Sequence, residues 1–455
     1  MTAAEVVVLG MGPGGEHVAT TLAKAGLDVI GVEKELLGGE CPYWACVPTK
    51  MMVRASDSVA EGERVNLLAG RATIERDWDP VQRRIREEAT DNWDDTAAVE
   101  RFEQAGGKFV RGEGYLDGPK CVVVDDERIA VERAIVLATG SRPVLEGING
   151  LDTVDYWTNR GAVAATEVPE SLVVVGAGAV GCEFAQLFAR FGADVTLLEG
   201  ESRVLPREEP EACGLIREVF AADGIEIRAG KIATMCSAGS DGVVVTLNDG
   251  SAVSAEKVLV AIGRRPDLAS IRTSTIGVDE NERAVPVDDH LRVRGAPGVW
   301  AIGDVAGGGF THMAVHHARI VAADILGQQT PGLSQRAVPR VTFTDPEVGA
   351  VGLTERQARE HGVDVRTGTT QVPSSARGWI HKVGNEGFIK LVEDPSRGVL
   401  VGATSVGPVG GEVLSMLTLA IETEVRCEDL RHMIYAYPTF HRAVEDALRE
   451  LATAD

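Results

Sequence analysis

At 455 residues, of which 44% are apolar, the chain is long enough for two or three domains that each bury a core. Its formal charge of -23 argues against nucleic acid and anionic membrane as partners, since both would repel it. Its 7 cysteines form no dense, even framework of a secreted scaffold, and no basic leader or long apolar run precedes the first strand, so a cytoplasmic location without a membrane span is expected.

Residues Glu5 to Lys34 read as strand, glycine-rich turn, helix and strand. The turn is Gly10-Met11-Gly12-Pro13-Gly14-Gly15, in which Gly10, Gly12 and Gly15 allow a tight bend, close approach to a pyrophosphate and close helix packing. Glu33 ends the second strand, where a carboxylate can accept from ribose hydroxyls. A dinucleotide site is expected there.

Directly after it comes Gly38-Gly39-Glu40-Cys41-Pro42-Tyr43-Trp44-Ala45-Cys46-Val47-Pro48-Thr49-Lys50. Two cysteines five apart on a regular helix have Cα atoms roughly 8–9 Å apart, beyond the reach of a disulfide, so the backbone must deviate near Cys41. Gly38-Gly39 and Pro42 are the residues expected to supply that deviation. Cys41 is then placed at a helix N-terminus, where the dipole favours a thiolate, and Cys46 one turn inside. The pair reads as a dithiol–disulfide couple beside a cofactor. No His or second Cys pair follows at ligand spacing, so no metal site is expected.

The stretch from Met51 to Gln104 reads as helical and charged, with Trp78 and Trp93 anchoring helices to the sheet or bordering a substrate entrance. After Gly112-Glu113-Gly114-Tyr115, a polar hairpin turns at Asp125-Asp126-Glu127. The strand Ala134 to Ala138 ends in Thr139-Gly140, which lets a loop turn tightly over a nucleotide. The first pattern then recurs: Ser171 to Val175, the turn Gly176-Ala177-Gly178-Ala179-Val180-Gly181, a helix, and the strand Asp194 to Glu199. Glu199 would repel a 2′-phosphate and accept a free 2′-hydroxyl, so NADH is expected over NADPH. Arg203 lies four residues on and could offset it. The second fold ends near Val258 to Gly263. Val299 to Asp304 is a strand ending in Gly303-Asp304, a helix begins at Thr311, and Pro331-Gly332 marks the start of an α+β segment. That segment is given strands near Val341, Gly387 to Val392 and Leu400 to Ala403, then two helices.

Two dinucleotide folds, a Cys-x4-Cys pair and a C-terminal α+β domain resemble the flavoprotein disulfide reductases, which include dihydrolipoamide dehydrogenase and mercuric reductase. The motifs that carry the likeness are Gly38 to Lys50, Ala138 to Gly140, Gly303-Asp304 and Phe343-Thr344-Asp345-Pro346-Glu347. The resemblance implies an α/β chain with an FAD domain in two parts (1–150 and 271–332), an NAD domain (151–270) and a dimerisation domain (333–455). It implies FAD held by Gly10, Gly12, Pro13, Gly14, Gly15, Glu33, Lys34, Gly39, Glu40, Lys50, Gly114, Tyr115, Ala138, Thr139, Gly140, Gly303, Asp304 and Thr311. NAD would lie on Gly176, Gly178, Ala179, Val180, Gly181, Glu199 and Gly263. By the same likeness Cys46 faces the flavin, Cys41 meets the substrate, Lys50 and Glu183 pair beside the flavin ring, and the protein is a homodimer.

One departure stands out. In the family a His-Pro precedes a Glu by a turn, and here Tyr437 holds the His position and Arg442 the Glu position. A phenol is a poor proton shuttle at pH 7 beside an imidazole, though His441 is near enough in sequence to serve. The expected enzyme passes electrons from NADH to FAD to Cys41-Cys46 to a small-molecule acceptor: a small disulfide, a soft metal ion or a quinone. Dihydrolipoamide dehydrogenase is the alternative name, and a redox-sensing flavoprotein with little turnover the alternative class.

Overall fold

In a computed structural model of the protein, residues 2–240 and 242–453 are described; the last two residues of the tail lie outside them. The chain forms two compact units, one of residues 1–49, 83–144 and 263–334, the other of residues 50–82, 145–262 and 335–455.

The first unit is built on a seven-stranded sheet. Thr2–Leu9 lies at its centre, parallel to Val29–Glu33 on one side and Glu127–Leu137 on the other. Val7 and Leu9 pack with Ile135 and Leu137 on one face, while Val6 and Val8 pack with Val18, Leu22 and Ile320 on the other. A strand segment buried on both faces has no polar side, which is why Val6 to Leu9 is an unbroken apolar run. The hairpin from Cys121–Val124 to Glu127–Leu137 turns as expected, on two left-handed residues, Asp125 and Asp126.

The second unit holds a five-stranded parallel sheet in the order Glu226–Ala229, Asp194–Glu199, Ser171–Val175, Lys257–Val260, Tyr156–Trp157. It also holds a three-stranded antiparallel sheet and a C-terminal five-stranded antiparallel sheet packed on Gly410–Glu422 and Ala443–Thr453. That last sheet has two strands beyond those expected, Glu347–Gly352 and Arg366–Gln371. The first carries two glycines in six residues and the second is polar, so neither shows an apolar alternation. Gly349 has a packing reason: a Cβ there would stand 2.9 Å from the Gly410 carbonyl at the helix start. A short helix, Cys427–His432, also goes beyond the expectation.

The stretch from Met51 to Gln104 is less helical than expected. The helix Cys46–Leu68 is followed by irregular chain to residue 78, short helical turns, and Thr96–Gln104. No helix among the described residues is long and apolar enough to cross a membrane.

Candidate redox site

Each unit repeats one glycine-rich turn in detail. Gly10 has φ +94° and a Cβ on it would stand 2.5 Å from the Ala138 carbonyl oxygen; Gly176 has φ +101° and a Cβ would stand 2.5 Å from that of Ala261. A Cβ on Gly15 would overlap the Gly10 oxygen at 2.0 Å, and one on Gly181 the Gly176 oxygen at 1.8 Å. Gly12 and Gly178 are different: nothing lies within 4 Å of a Cβ built on either. Glycine is dictated by packing at the outer positions, and at the middle ones it leaves an open cradle at a helix N-terminus, which fits a bound pyrophosphate.

The acids at the strand ends are braced the same way. Glu33 accepts from the Met11 N–H (2.8 Å) and the Glu35 N–H (2.9 Å). Glu199 accepts from the Ala177 N–H (2.7 Å) and the Glu201 N–H (2.9 Å). Each carboxylate holds its own glycine turn and keeps lone pairs that could accept from a further donor. Ala179 and Val180 open the second helix, and Val180 is exposed. Arg203 donates to the Pro206 carbonyl at 3.2 Å, a backbone engagement within its own loop.

Around the first cradle the structure gathers several expected residues. A Cβ on Gly14 would meet Ala314 of the helix Thr311–Ile325, as would one on Gly303, and one on Gly39 would meet the Gly12 Cα at 2.8 Å. Pro13 is the first residue of its helix, and Thr139 backs Gly10. Gly140 is left-handed and open on its Cβ side, and Ser141 beside it donates a short hydrogen bond to Asp304. The Gly303 N–H donates to His317 Nδ1 at 3.1 Å, and burial pushes that imidazole down to about 4, so it is neutral at pH 7. Other expected residues are engaged elsewhere in the same unit. Lys34 pairs with Glu113 at 3.6 Å, Glu40 with Arg264 at 3.5 Å, and the Tyr115 ring lies 3.6 Å under Arg272. Gly114 packs beneath Leu9 and Val32, and the Gly263 carbonyl accepts from the Val144 N–H.

The cysteine pair departs from the expected helix. Cys41 lies in a four-residue helix, Glu40–Tyr43, which stops at Trp44, and a new helix begins at Cys46. Gly38 and Gly39 are left-handed as anticipated, but the break that separates the sulfurs' helices comes at Trp44-Ala45. Pro48 explains its place: lacking an N–H, it fits only in a first turn, and it is the third residue of the new helix. The helix dipole of 23 residues therefore bears on Cys46, not on Cys41 as expected. Cys46 Sγ lies 3.3 Å from Thr311 Oγ1.

Trp44, between the cysteines, stacks on Trp93 with centroids 5.2 Å apart and planes 23° apart. Trp93 closes a run of three left-handed non-glycine residues, Asp91, Asn92 and Trp93. Asp and Asn tolerate this region, so the cost, about 1 kcal/mol or more, falls mainly on Trp93. Its indole N–H is buried with no hydrogen-bond partner among the described residues, which costs about 1–3 kcal/mol more. The run is tied down by Asp95, whose carboxylate accepts from the Leu37 N–H (2.6 Å) and from Arg111 (2.6 Å). Trp78, in the other unit, is a packing residue: its ring meets Phe188 and Phe191 and its N–H donates to the Ala165 carbonyl.

In the second unit Lys50 Nζ donates to Glu183 Oε2 at 2.7 Å and stands 4.6 Å from the Phe343 ring centre, while Glu183 Oε1 accepts from the Phe343 N–H. The pair heads a seam. Asp57, seven residues after Lys50, pairs with Arg190 (3.3 Å), and Arg64, seven further, pairs with Asp345 (2.6 Å), which also binds Arg190 (2.9 Å). The spacing was visible in the sequence; its partners were not.

At the C-terminus Tyr437 is 71% exposed, with Arg442 5.8 Å over its ring. Arg442 also pairs with Glu445 and Asp446 at 3.3 Å. Pro438 does not open a helix; the helix starts at Ala443, because residues 436–442 form turns. His441 therefore sits ahead of it, its Nε2 3.2 Å from Met416 Sδ, and burial lowers its pKa. Burial also raises the thiols of Cys213 to about 11 and Cys427 to about 12, which leaves them inert.

The model of the pyridine nucleotide-disulphide oxidoreductases matches residues 4–338, and that of the family's dimerisation domain matches residues 338–448. The chain belongs to the pyridine nucleotide-disulphide oxidoreductases. It is thus an NAD(P)H-dependent flavoprotein enzyme, and the two glycine cradles fit the two nucleotides its family binds. The chain is 34% identical to the dihydrolipoyl dehydrogenase of Halobacterium salinarum, over 98% of this chain and 96% of that one. It is 32% identical to that of Thermus scotoductus, over 98% and 97%. Among solved structures it resembles the Cu(II) complex of the HOCl-induced flavoprotein disulfide reductase RclA of Escherichia coli, at TM-score 0.86 and 27% identity, with 99% of each chain covered.

Proposed function

We propose that this oxidoreductase takes electrons from NADH through FAD to Cys41-Cys46 and on to a small acceptor that needs no general acid from the protein. The observation that carries this reading is the placement of Cys46 at the start of a long helix, 3.3 Å from Thr311 and in the same unit as the Gly10–Gly15 cradle. When bound, FAD would carry two electrons from the nicotinamide to sulfur. The chain's own part is to hold Cys46 as a thiolate in the helix field. Lys50, fixed by Glu183, would place a cation beside the flavin ring.

The acceptor reading rests on the C-terminal segment. A phenol at position 437, in place of an imidazole, and a half-buried His441 whose pKa burial lowers are both poor proton donors at pH 7. Glu199 and the backbone-bound Arg203 support NADH over NADPH. A second copy of the chain is proposed as partner, because Trp379, Ile380, Ile434 and Tyr437 expose 72, 48, 96 and 71% of their surface on the segment matched by the dimerisation model.

The test is anaerobic titration of the flavin-loaded protein with NADH and with NADPH, followed by an acceptor screen of lipoamide, glutathione disulfide, Cu(II) and quinones. Bleaching by NADH with slow lipoamide turnover is expected. Rapid lipoamide turnover would instead make it a dihydrolipoyl dehydrogenase, and bleaching without turnover of any acceptor would make it a sensor.

A further inference from the structure

Trp93 is held at a disadvantage. It ends a left-handed run that no glycine relieves, its indole N–H is buried without a partner among the described residues, and a buried carboxylate, Asp95, pins the run to the Leu37 N–H just ahead of the Gly38-Gly39 lead-in. What this arrangement secures is a ring stacked at 5.2 Å on Trp44, the residue midway between the redox cysteines. Both indoles are only half-buried. Strain kept in this way beside reactive groups marks a site shaped for something outside the protein.

We infer that Trp93, with Trp44, is a specificity-determining wall for planar conjugated acceptors of the quinone type, a proposal that rests on the electron path proposed above. An indole face rewards a flat π-system and offers little to a flexible aliphatic disulfide. The unpartnered N–H has what a quinone carbonyl lacks, a donor, so a quinone bound there would satisfy both groups. The chemistry closes without an acid from the C-terminal segment. The Cys41 thiol and Cys46 thiolate give two electrons and one proton to the quinone, solvent gives the second proton, and the pair becomes a disulfide; the hydride of NADH then restores one thiol and one thiolate.

The experiment measures kcat and KM with 2-methyl-1,4-naphthoquinone and with lipoamide for wild type, Trp93→Phe and Trp93→Ala, with quinone quenching of tryptophan fluorescence in the oxidised, flavin-loaded protein as a binding readout without turnover. Wild type should favour the quinone in kcat/KM. Trp93→Ala should raise the quinone KM roughly tenfold, and Trp93→Phe, which keeps a ring and loses the donor, by a smaller factor. If Trp93→Ala fails to retain flavin, Trp93→Phe decides. A quinone KM within twofold of wild type in the variant that folds, or a wild-type preference for lipoamide, overturns the inference. Should NADH fail to bleach wild type at all, it is the electron path that falls.

Discussion

The two cysteines are made unequal by one proline. Because Pro48 must stand in a first turn, the long helix starts at Cys46, and only that sulfur feels its dipole. Cys46→Ser should therefore abolish the long-wavelength absorbance that a thiolate gives beside an oxidised flavin, and Cys41→Ser should retain it. Spectra of each variant during NADH titration check this, and a retained band in Cys46→Ser would reverse the assignment. Tyr437→Phe should alter turnover by less than about twofold, since the acceptor proposed above draws no proton from this segment. A steady-state assay with the preferred acceptor shows it, and a tenfold loss would return a proton role to the hydroxyl. The glycines at residues 10 to 15 were readable in the sequence because a missing side chain is itself the signal. The Trp93 turn was not: Asp91 and Asn92 are types that tolerate left-handed backbone, but nothing in the sequence says that Trp93 joins them, and only the bulk of Trp44 between the cysteines hinted at a partner.

Between elements, charge spaced by seven residues does what apolar packing does elsewhere. Lys50, Asp57 and Arg64 lie along one face of their helix and meet Glu183, Arg190 and Asp345 in turn. Asp57 is the weak link, its carboxyl raised to about 6 by burial and by Asp345, against the pull of Arg190. A folded pKa above the unfolded value near 4 means the folded state binds the extra proton between those limits. This group's contribution is present below pH 4 and lost as pH rises through 6. Asp57→Asn should thus flatten the change in Tm between pH 4.5 and 7, measured by calorimetry, and an unchanged slope would exclude Asp57 as its source. A second contact is starker. Lys390, 3% exposed, faces Glu209 (2% exposed) at 3.1 Å, with Glu211 and Glu355 close by. Lys390→Ala would strand a buried carboxylate and should destabilise by roughly 3–5 kcal/mol in denaturant titration, whereas a loss under about 1 kcal/mol would mean water reaches Glu209. Neither cluster was legible beforehand, because a helix face in sequence names its charges without naming what opposes them.

At the scale of the whole molecule, the doubled strand–turn–helix pattern was plain from the start, since parallel strands buried on both faces advertise themselves as apolar runs. The C-terminal sheet was half hidden, since Glu347–Gly352 trades side chains for closeness to Gly410 and Arg366–Gln371 is polar throughout. The exposed Trp379 and Ile434 belong to this domain, and Trp379→Glu should shift the sedimenting species from twice the chain mass toward one chain at micromolar concentration. Wild type sedimenting as a single chain would remove the second copy from the picture.

The carboxylates at residues 33 and 199 each grip the backbone of the loop they serve. A redesign that swaps Glu199 to win over the phosphorylated dinucleotide would also unfasten that loop from its strand. If Glu199 sets the coenzyme as proposed, coenzyme choice and loop rigidity are inherited together, and an engineer wishing to alter one must first find another fastening for the other.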